Sequence, residues 1–166
     1  MFADIAGFTA LSEKLSPEEV TDIMNDCFAM MEQTIKAQGG TIDKFIGDCV
    51  MAVFGVPTAL ENAPVRAIKA ALEIRKRIGE LRAASLPHGA LATHIGINSG
   101  PVLAGEIGGE KRRDFTVMGD TVNLASRLEG VAQRGQIIIG PDTYRSVRNY
   151  FQVRAMGPSK VKGKED

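Results

Sequence analysis

After Ser16 the apolar residues fall in steps of three and four: Val20, Ile23, Met24, Cys27, Phe28, Met31 and Ile35. Residues so spaced share one face of a helix, so the run predicts an amphipathic helix with a buried stripe. Ser16 is placed to cap it, Pro17 suits its first turn, Glu19 completes a Ser-x-x-Glu capping box, and Gly39-Gly40 ends it. The period then changes. "TIDKFIG" and "CVMAVFG" are short β-prone runs that meet at Gly47-Asp48, the spacing of a hairpin whose turn tolerates positive φ. A second long helix is predicted over residues 59 to 84, with Pro64 in its first turn and Ile68, Ala71, Leu72, Arg75, Ile78 and Leu81 at helical steps, followed by "LPHG" as a loop.

Further on, "LATHIGINSG" and "PVLAGEIGG" predict another strand pair, with "EKRRDFTVMG" as its polar extension and Lys111, Arg112 and Arg113 at an exposed tip. Asp120 is placed to cap a short helix through "TVNLASRLEG", ended by Gly130. "QIIIG" predicts a strand, Pro141 the start of a helix to about Val147, and "YFQVRAM" a closing strand. The order is β-α-β-β-α-β with additions. It predicts an α+β, ferredoxin-like core: a mainly antiparallel sheet with long helices on one face and the other face or sheet end free for chemistry or a partner.

The 166 residues suit a single domain spanning 1–166. Only Met1, Phe2 and Ala3 precede Asp4, and the tail "MGPSKVKGKED" is polar and glycine-rich, so the expectation is a domain excised from a larger protein with linked regulatory or anchoring segments. Lys and Arg number 20 against 20 Asp and Glu, which leaves no net positive field for nucleic acid or an anionic membrane. Any anion must meet a local arrangement. Cys27 and Cys49 have no metal-ligand spacing and are too few for a disulfide framework, which points to a reduced, cytoplasmic setting. No apolar run approaches the roughly 18 residues of a spanning helix. His88 falls in a loop and His94 in a strand, neither with an evident metal-ligand partner.

Two acids stand against the sheet. Asp4, in "FADIAGFT", follows the apolar end of the first strand, and Asp48 sits at the tip of the hairpin. If the hairpin packs beside the first strand, both carboxylates converge on one point, and two hard anionic oxygens there suit Mg²⁺. Paired acids are how phosphoryl chemistry holds two cations about 4 Å apart. The alternative is that each acid caps a turn. Gly7 lets backbone approach a ligand, and the amides of residues 6 to 9 are aimed from a helix start toward an anion; there is no GKS or GKT, so this is no Walker loop, and a plain strand-to-helix turn is the other reading. Asn123 and Arg127, four apart, share one helix face, with Leu124 and Leu128 on another. Such an amide can orient a ribose oxygen and such a guanidinium can stabilise charge developing on a phosphate; a solvated helix face is the alternative.

The succession FADIAGFT, DKFIGD, GxxxAGxIGG, VMGDTVNLASRLE and VKGK resembles the catalytic domain of class III nucleotidyl cyclases over essentially the whole chain. Five motifs in that order are far more specific than any one alone. The resemblance implies that Asp4 and Asp48, with the backbone carbonyl of Ile5, bind two Mg²⁺ (Mn²⁺ substituting), that the backbone around Phe8 and Thr9 meets the nucleotide, that Asn123 and Arg127 are the transition-state pair, and that Lys162 contacts the triphosphate. It also implies attack of the ribose 3′-hydroxyl on the α-phosphorus with loss of pyrophosphate. Base choice falls to Lys44 and Thr116. A lysine donates to purine N1, an acceptor in adenine, whereas guanine carries a donor there that a glutamate would accept. Lys44 with Thr116 resembles adenylyl cyclases, and since many members carry Asp where Thr116 stands, the nearer likeness is to the subgroup that includes bicarbonate-responsive enzymes. The implied activity is conversion of ATP to 3′,5′-cyclic AMP, and the implied assembly a head-to-tail homodimer with two shared sites, "EKRRDF" reaching the partner. Against it stand a guanylyl cyclase, a silent nucleotide-binding regulatory module, and a polymerase-like palm, the last disfavoured by the neutral charge.

Overall fold

Alternation along the first strand sets the arrangement. In the computed structural model, which describes residues 1–81, 90–109 and 112–157, β1 (Phe2–Ala6) turns Ala3 and Ile5 into the larger core and Phe2 into a second, smaller one on the opposite face. Asp4 shares the face of Phe2. A short α1 (Phe8–Ser12) leads into α2 (Pro17–Ala37), whose Ser16–Glu19 capping box is formed as its sequence predicts. Next come β2 (Thr41–Ile46) and β3 (Cys49–Val53), joined by the two-residue turn Gly47-Asp48 with Gly47 at φ 61°. Then follow α3 (Ala63–Gly79), β4 (Ala92–Ile97), β5 (Leu103–Gly109), β6 (Arg112–Met118), α4 (Asp120–Val131), β7 (Ile137–Ile139) and α5 (Pro141–Val147).

The main sheet has the order β2-β3-β1-β4-β7. It is antiparallel except for the β4–β7 pair, which is the ferredoxin-like core with one added edge strand. Helices α2 and α3 cover one face, where Cys27, Met31, Ile35, Ile74 and Ile78 meet Ile5, Val50 and Ile95, all fully buried or nearly so. Truncating one of these large side chains to alanine costs roughly 2–5 kcal/mol through lost contacts and the cavity left behind.

The opposite face is partly covered rather than free. Helix α4 and strand β6 lie over it, and Phe2, Met51, Val117 and Ala125 form the smaller core. Gly96 permits this approach: a Cβ there would stand 2.3 Å from the Ala125 carbonyl oxygen and the Glu129 amide nitrogen, so only glycine lets the helix rest on the strand.

Four expectations are corrected. The second long helix starts at Ala63, not 59, because Asn62 adopts a left-handed conformation (φ 56°) that cannot continue a helix; it ends at Gly79, and 82–84 and "LPHG" with His88 lie outside the described residues. "PVLAGEIGG" does not pair with "LATHIGINSG". It pairs with β6 in a separate two-stranded ribbon, while β7 takes the outer edge of β4, and the "polar extension" is thus a strand. Lys111 lies outside the described residues. The "YFQVRAM" segment forms no strand, because the amides of Tyr150 and Phe151 are used to close the end of α5 on the Val147 carbonyl (2.8 and 3.2 Å). Asp120 lies inside the first turn of α4, with Gly119 at the cap position, and the helix runs past Gly130 to Val131.

Candidate active site

The two acids singled out in the sequence come together. β1 pairs with β3 so that Asp4 is opposite Cys49, which sets Asp48 of the adjoining turn beside it, and the Ile5 amide donates to the Asp48 carbonyl at 3.3 Å. Asp4 Oδ1 is buried with no hydrogen-bond partner among the described residues. Burial first, and the facing Asp48 carboxylate second, hold the Asp4 carboxyl above the usual carboxylate range.

Two further groups join them that carry no sequence signal of their own. His94 is opposite Asp4 across β1 and β4, and Glu129 reaches in from α4; ligand atoms of Asp4, His94 and Glu129 all lie within 4.8 Å of one another. His94 therefore does have candidate metal-ligand partners, contrary to the sequence expectation. The cause is non-local: its neighbours come from a strand 90 residues earlier and a helix 35 residues later, as the numbering shows. Burial, then Asp4 and Asp48, push the Glu129 carboxyl up to about 7. The Cys49 thiol, also within this patch, is pushed up to about 12 by burial and then by Glu129 and Asp4, and so is no nucleophile at neutral pH. Clustered carboxylates with raised proton affinity and an orphaned buried oxygen fit a divalent cation, and carboxylate oxygens suit Mg²⁺ or Mn²⁺.

This cluster makes stability depend on pH. The folded chain holds the Glu129 proton more tightly than its ordinary value of 4.5 allows in an unfolded chain. Its contribution is therefore fully present below about pH 4.5 and is lost as pH rises through about 7. In chelator-treated buffer the melting temperature is expected to fall across that window, and to fall less steeply in Glu129→Gln. An equal slope in the variant would assign the pH dependence to other groups.

The remaining described candidates lie on α1, β2, β6 and α4. Gly7 caps α1 in a left-handed conformation (φ 111°), and no side chain bonds the first amides of that helix. The Phe8 ring is in the core, so this residue offers a ligand its backbone N–H only, whereas Thr9 is exposed. Asn123 is exposed and Arg127 half-buried on α4. At about 100° per residue both stand roughly opposite Ala125, which packs in the smaller core, and so lie off the face of α4 that rests on the sheet. Lys44 and Thr116 are brought together, through Asp43. Lys162 lies outside the described residues.

The family model for the adenylate and guanylate cyclase catalytic domain matches residues 1–166. The chain belongs to this family. It is 34% identical to adenylate cyclase 1 of Rhizobium meliloti (strain 1021) over 99% of its own length and 25% of that protein. It is also 34% identical to retinal guanylyl cyclase 1 of Mus musculus, over 98% of its length and 15% of that protein. The chain thus spans a quarter or less of these two curated relatives. Its fold superposes on the crystal structure of the adenylyl cyclase CyaB from P. aeruginosa with a TM-score of 0.93 at 38% identity, covering 99% of this chain and 87% of that one. Among the described residues no helix is long and apolar enough to cross a membrane.

Proposed function

We propose that the domain is an adenylyl cyclase, forming 3′,5′-cyclic AMP and pyrophosphate from ATP at sites shared between two copies of the chain. Overall identity does not choose the base, since it is 34% to an adenylate cyclase and 34% to a guanylyl cyclase alike. The observation that carries the reading is local. Lys44, from β2, and Thr116, from β6, belong to different sheets yet meet at one carboxylate, Asp43, which supports their acting together on one base. A lysine at that place donates to N1 of adenine and meets a donor in guanine.

Asp4 and Asp48, with the backbone carbonyl of Ile5, would hold two Mg²⁺ or Mn²⁺, which when bound make the ribose 3′-hydroxyl more acidic and neutralise the triphosphate. The chain's own groups do the rest. The amides of Phe8 and Thr9 donate to phosphate oxygens. Asn123 orients the ribose so that its 3′-oxygen lies in line with the α-phosphorus. As that oxygen bonds to phosphorus and the bond to the pyrophosphate oxygen breaks, Arg127 stabilises the charge spread over the phosphoryl oxygens, and Lys162 meets the triphosphate.

Two features favour a homodimer. Asn123 is exposed and Arg127 half-buried on α4, off the side where Ala125 packs, which supports their serving the metal-binding acids of a second chain. Phe45 and Ile46 on β2, with Leu103, Ile107 and Phe115 on the ribbon, are large apolar side chains exposed in the single chain. The test is product formation from ATP and from GTP, in Mg²⁺ and in Mn²⁺, at rising protein concentration. Cyclic AMP with a specific activity that rises with concentration is expected. A cyclic product from GTP alone would convert the reading to a guanylyl cyclase, and no product from a folded dimer would leave a binding module.

A further inference from the structure

Asp43, which joins Lys44 to Thr116, sits at an irregularity of strand β2. Strand β2 carries one extra residue relative to β3: Ile42 pairs with Ala52 and Lys44 with Met51, so Asp43 is the bulged position. A bulge re-aims a side chain, and here it turns a carboxylate inward until only 4% of the Asp43 side chain is exposed. The Thr116 hydroxyl donates to Asp43 Oδ2 at 2.8 Å, and Lys44 Nζ lies 3.4 Å from the same oxygen. Thr116 itself is 5% exposed.

We infer that Asp43 is a specificity-determining positioning residue that locks the Thr116 hydroxyl as an acceptor toward the purine; this rests on the reading that Lys44 and Thr116 face the base. A threonine hydroxyl has one proton and two lone pairs. With its proton committed to a buried carboxylate, it has only lone pairs left for a ligand. Adenine offers the 6-amino group, a donor, and guanine offers O6, an acceptor. A free hydroxyl would rotate to suit either base. The locked one accepts from adenine and sets lone pair against lone pair with guanine, while the same carboxylate draws the Lys44 ammonium to the neighbouring position. Threonine then does the selective work of a pure acceptor without adding a second charge beside the lysine.

The experiment reads kcat/KM for ATP and the inhibition constant of GTP against ATP cyclisation. Asp43→Ala removes the acceptor and frees the hydroxyl proton. ATP kcat/KM is expected to fall about tenfold and GTP to bind about tenfold more tightly, the scale of one hydrogen bond gained or lost at a buried site. A tie that served only to fasten the ribbon to the sheet would weaken both nucleotides by the same factor, and that result overturns the inference. Thr116→Val leaves Asp43 in place and tests the lock independently should the first variant not fold. ATP kcat/KM is expected to fall about tenfold with GTP binding unchanged or improved, because a locked hydroxyl gives guanine nothing to lose. A parallel loss of GTP binding shows a freely rotating hydroxyl and overturns it too. The unaltered domain, measured in the same assay, separates the two levels of failure. Preference for GTP there removes the adenylyl reading and this inference with it, whereas preference for ATP with unmoved ratios in the variants removes the role of Asp43 alone.

Discussion

Asp48→Asn is expected to lower cyclic nucleotide formation by about a thousandfold and, in chelator, to raise the melting temperature. The first effect follows from losing an anionic ligand at the point where the triphosphate and the attacking hydroxyl must meet. Several kcal/mol of charge stabilisation are at stake, and each 1.36 kcal/mol is worth tenfold in rate. The second effect has the opposite sign because Asp48 is one of the charges that hold the Asp4 carboxyl above its usual range. Replacing it with an uncharged group of the same shape removes that repulsion, while the backbone bond from the Ile5 amide to the residue 48 carbonyl is retained. Activity lost with stability gained is the signature of a residue kept for function at a cost to the fold. Rates and thermal melting measured on the same preparation check both signs. Retention of more than about a tenth of the rate would shift the metal-holding role to Asp4 with His94 and Glu129, the other ligand atoms at hand.

The second large effect is a recovery. Asp48→Asn and Asn123→Ala are each expected to be nearly inactive, and an equimolar mixture to regain about a quarter of the wild-type rate. Random pairing makes half the dimers mixed, and each mixed dimer has one site with both lesions and one with neither. Helix α4 carries Asn123 on its exposed side, roughly opposite Ala125, which packs in the smaller core. Mixing after subunit exchange, with mixed dimers verified by mass, makes the result decisive. Inactive mixed dimers would mean that each chain completes its own site.

The parts of this structure written in local pattern were legible from the sequence. The three- and four-residue steps after Ser16, the capping box and the Gly47-Asp48 turn each depend on neighbours in the chain, and each is present. The convergence of Asp4 and Asp48 followed from one assumption about pairing, that β3 lies beside β1, and it does. What escaped was decided between distant segments. Whether β5 should pair with β4 or with β6 is not visible in two similar apolar runs; β7 occupies the β4 edge and leaves β5 to the ribbon. Glu129 sits in a helix with no motif to mark its inward turn, and its meeting with His94 depends on Gly96 letting the helix down onto the strand. Asp43 was one unremarked letter in "DKFIGD" until the bulge turned it inward.

Gly96 has one more consequence. Backbone rests on backbone at that point, which pins the register of α4 on the strand. Asp4, on the strand next to β4, and Asn123, on α4, are thus two marks on a stiff gauge, with a spacing set by the fold. If a complete site takes one mark from each of two chains, a signal arriving from elsewhere has little to adjust inside either chain. What it can adjust is how one gauge is laid against the other. A small rotation between domains would then open or close both sites together, and switching would be a matter of alignment.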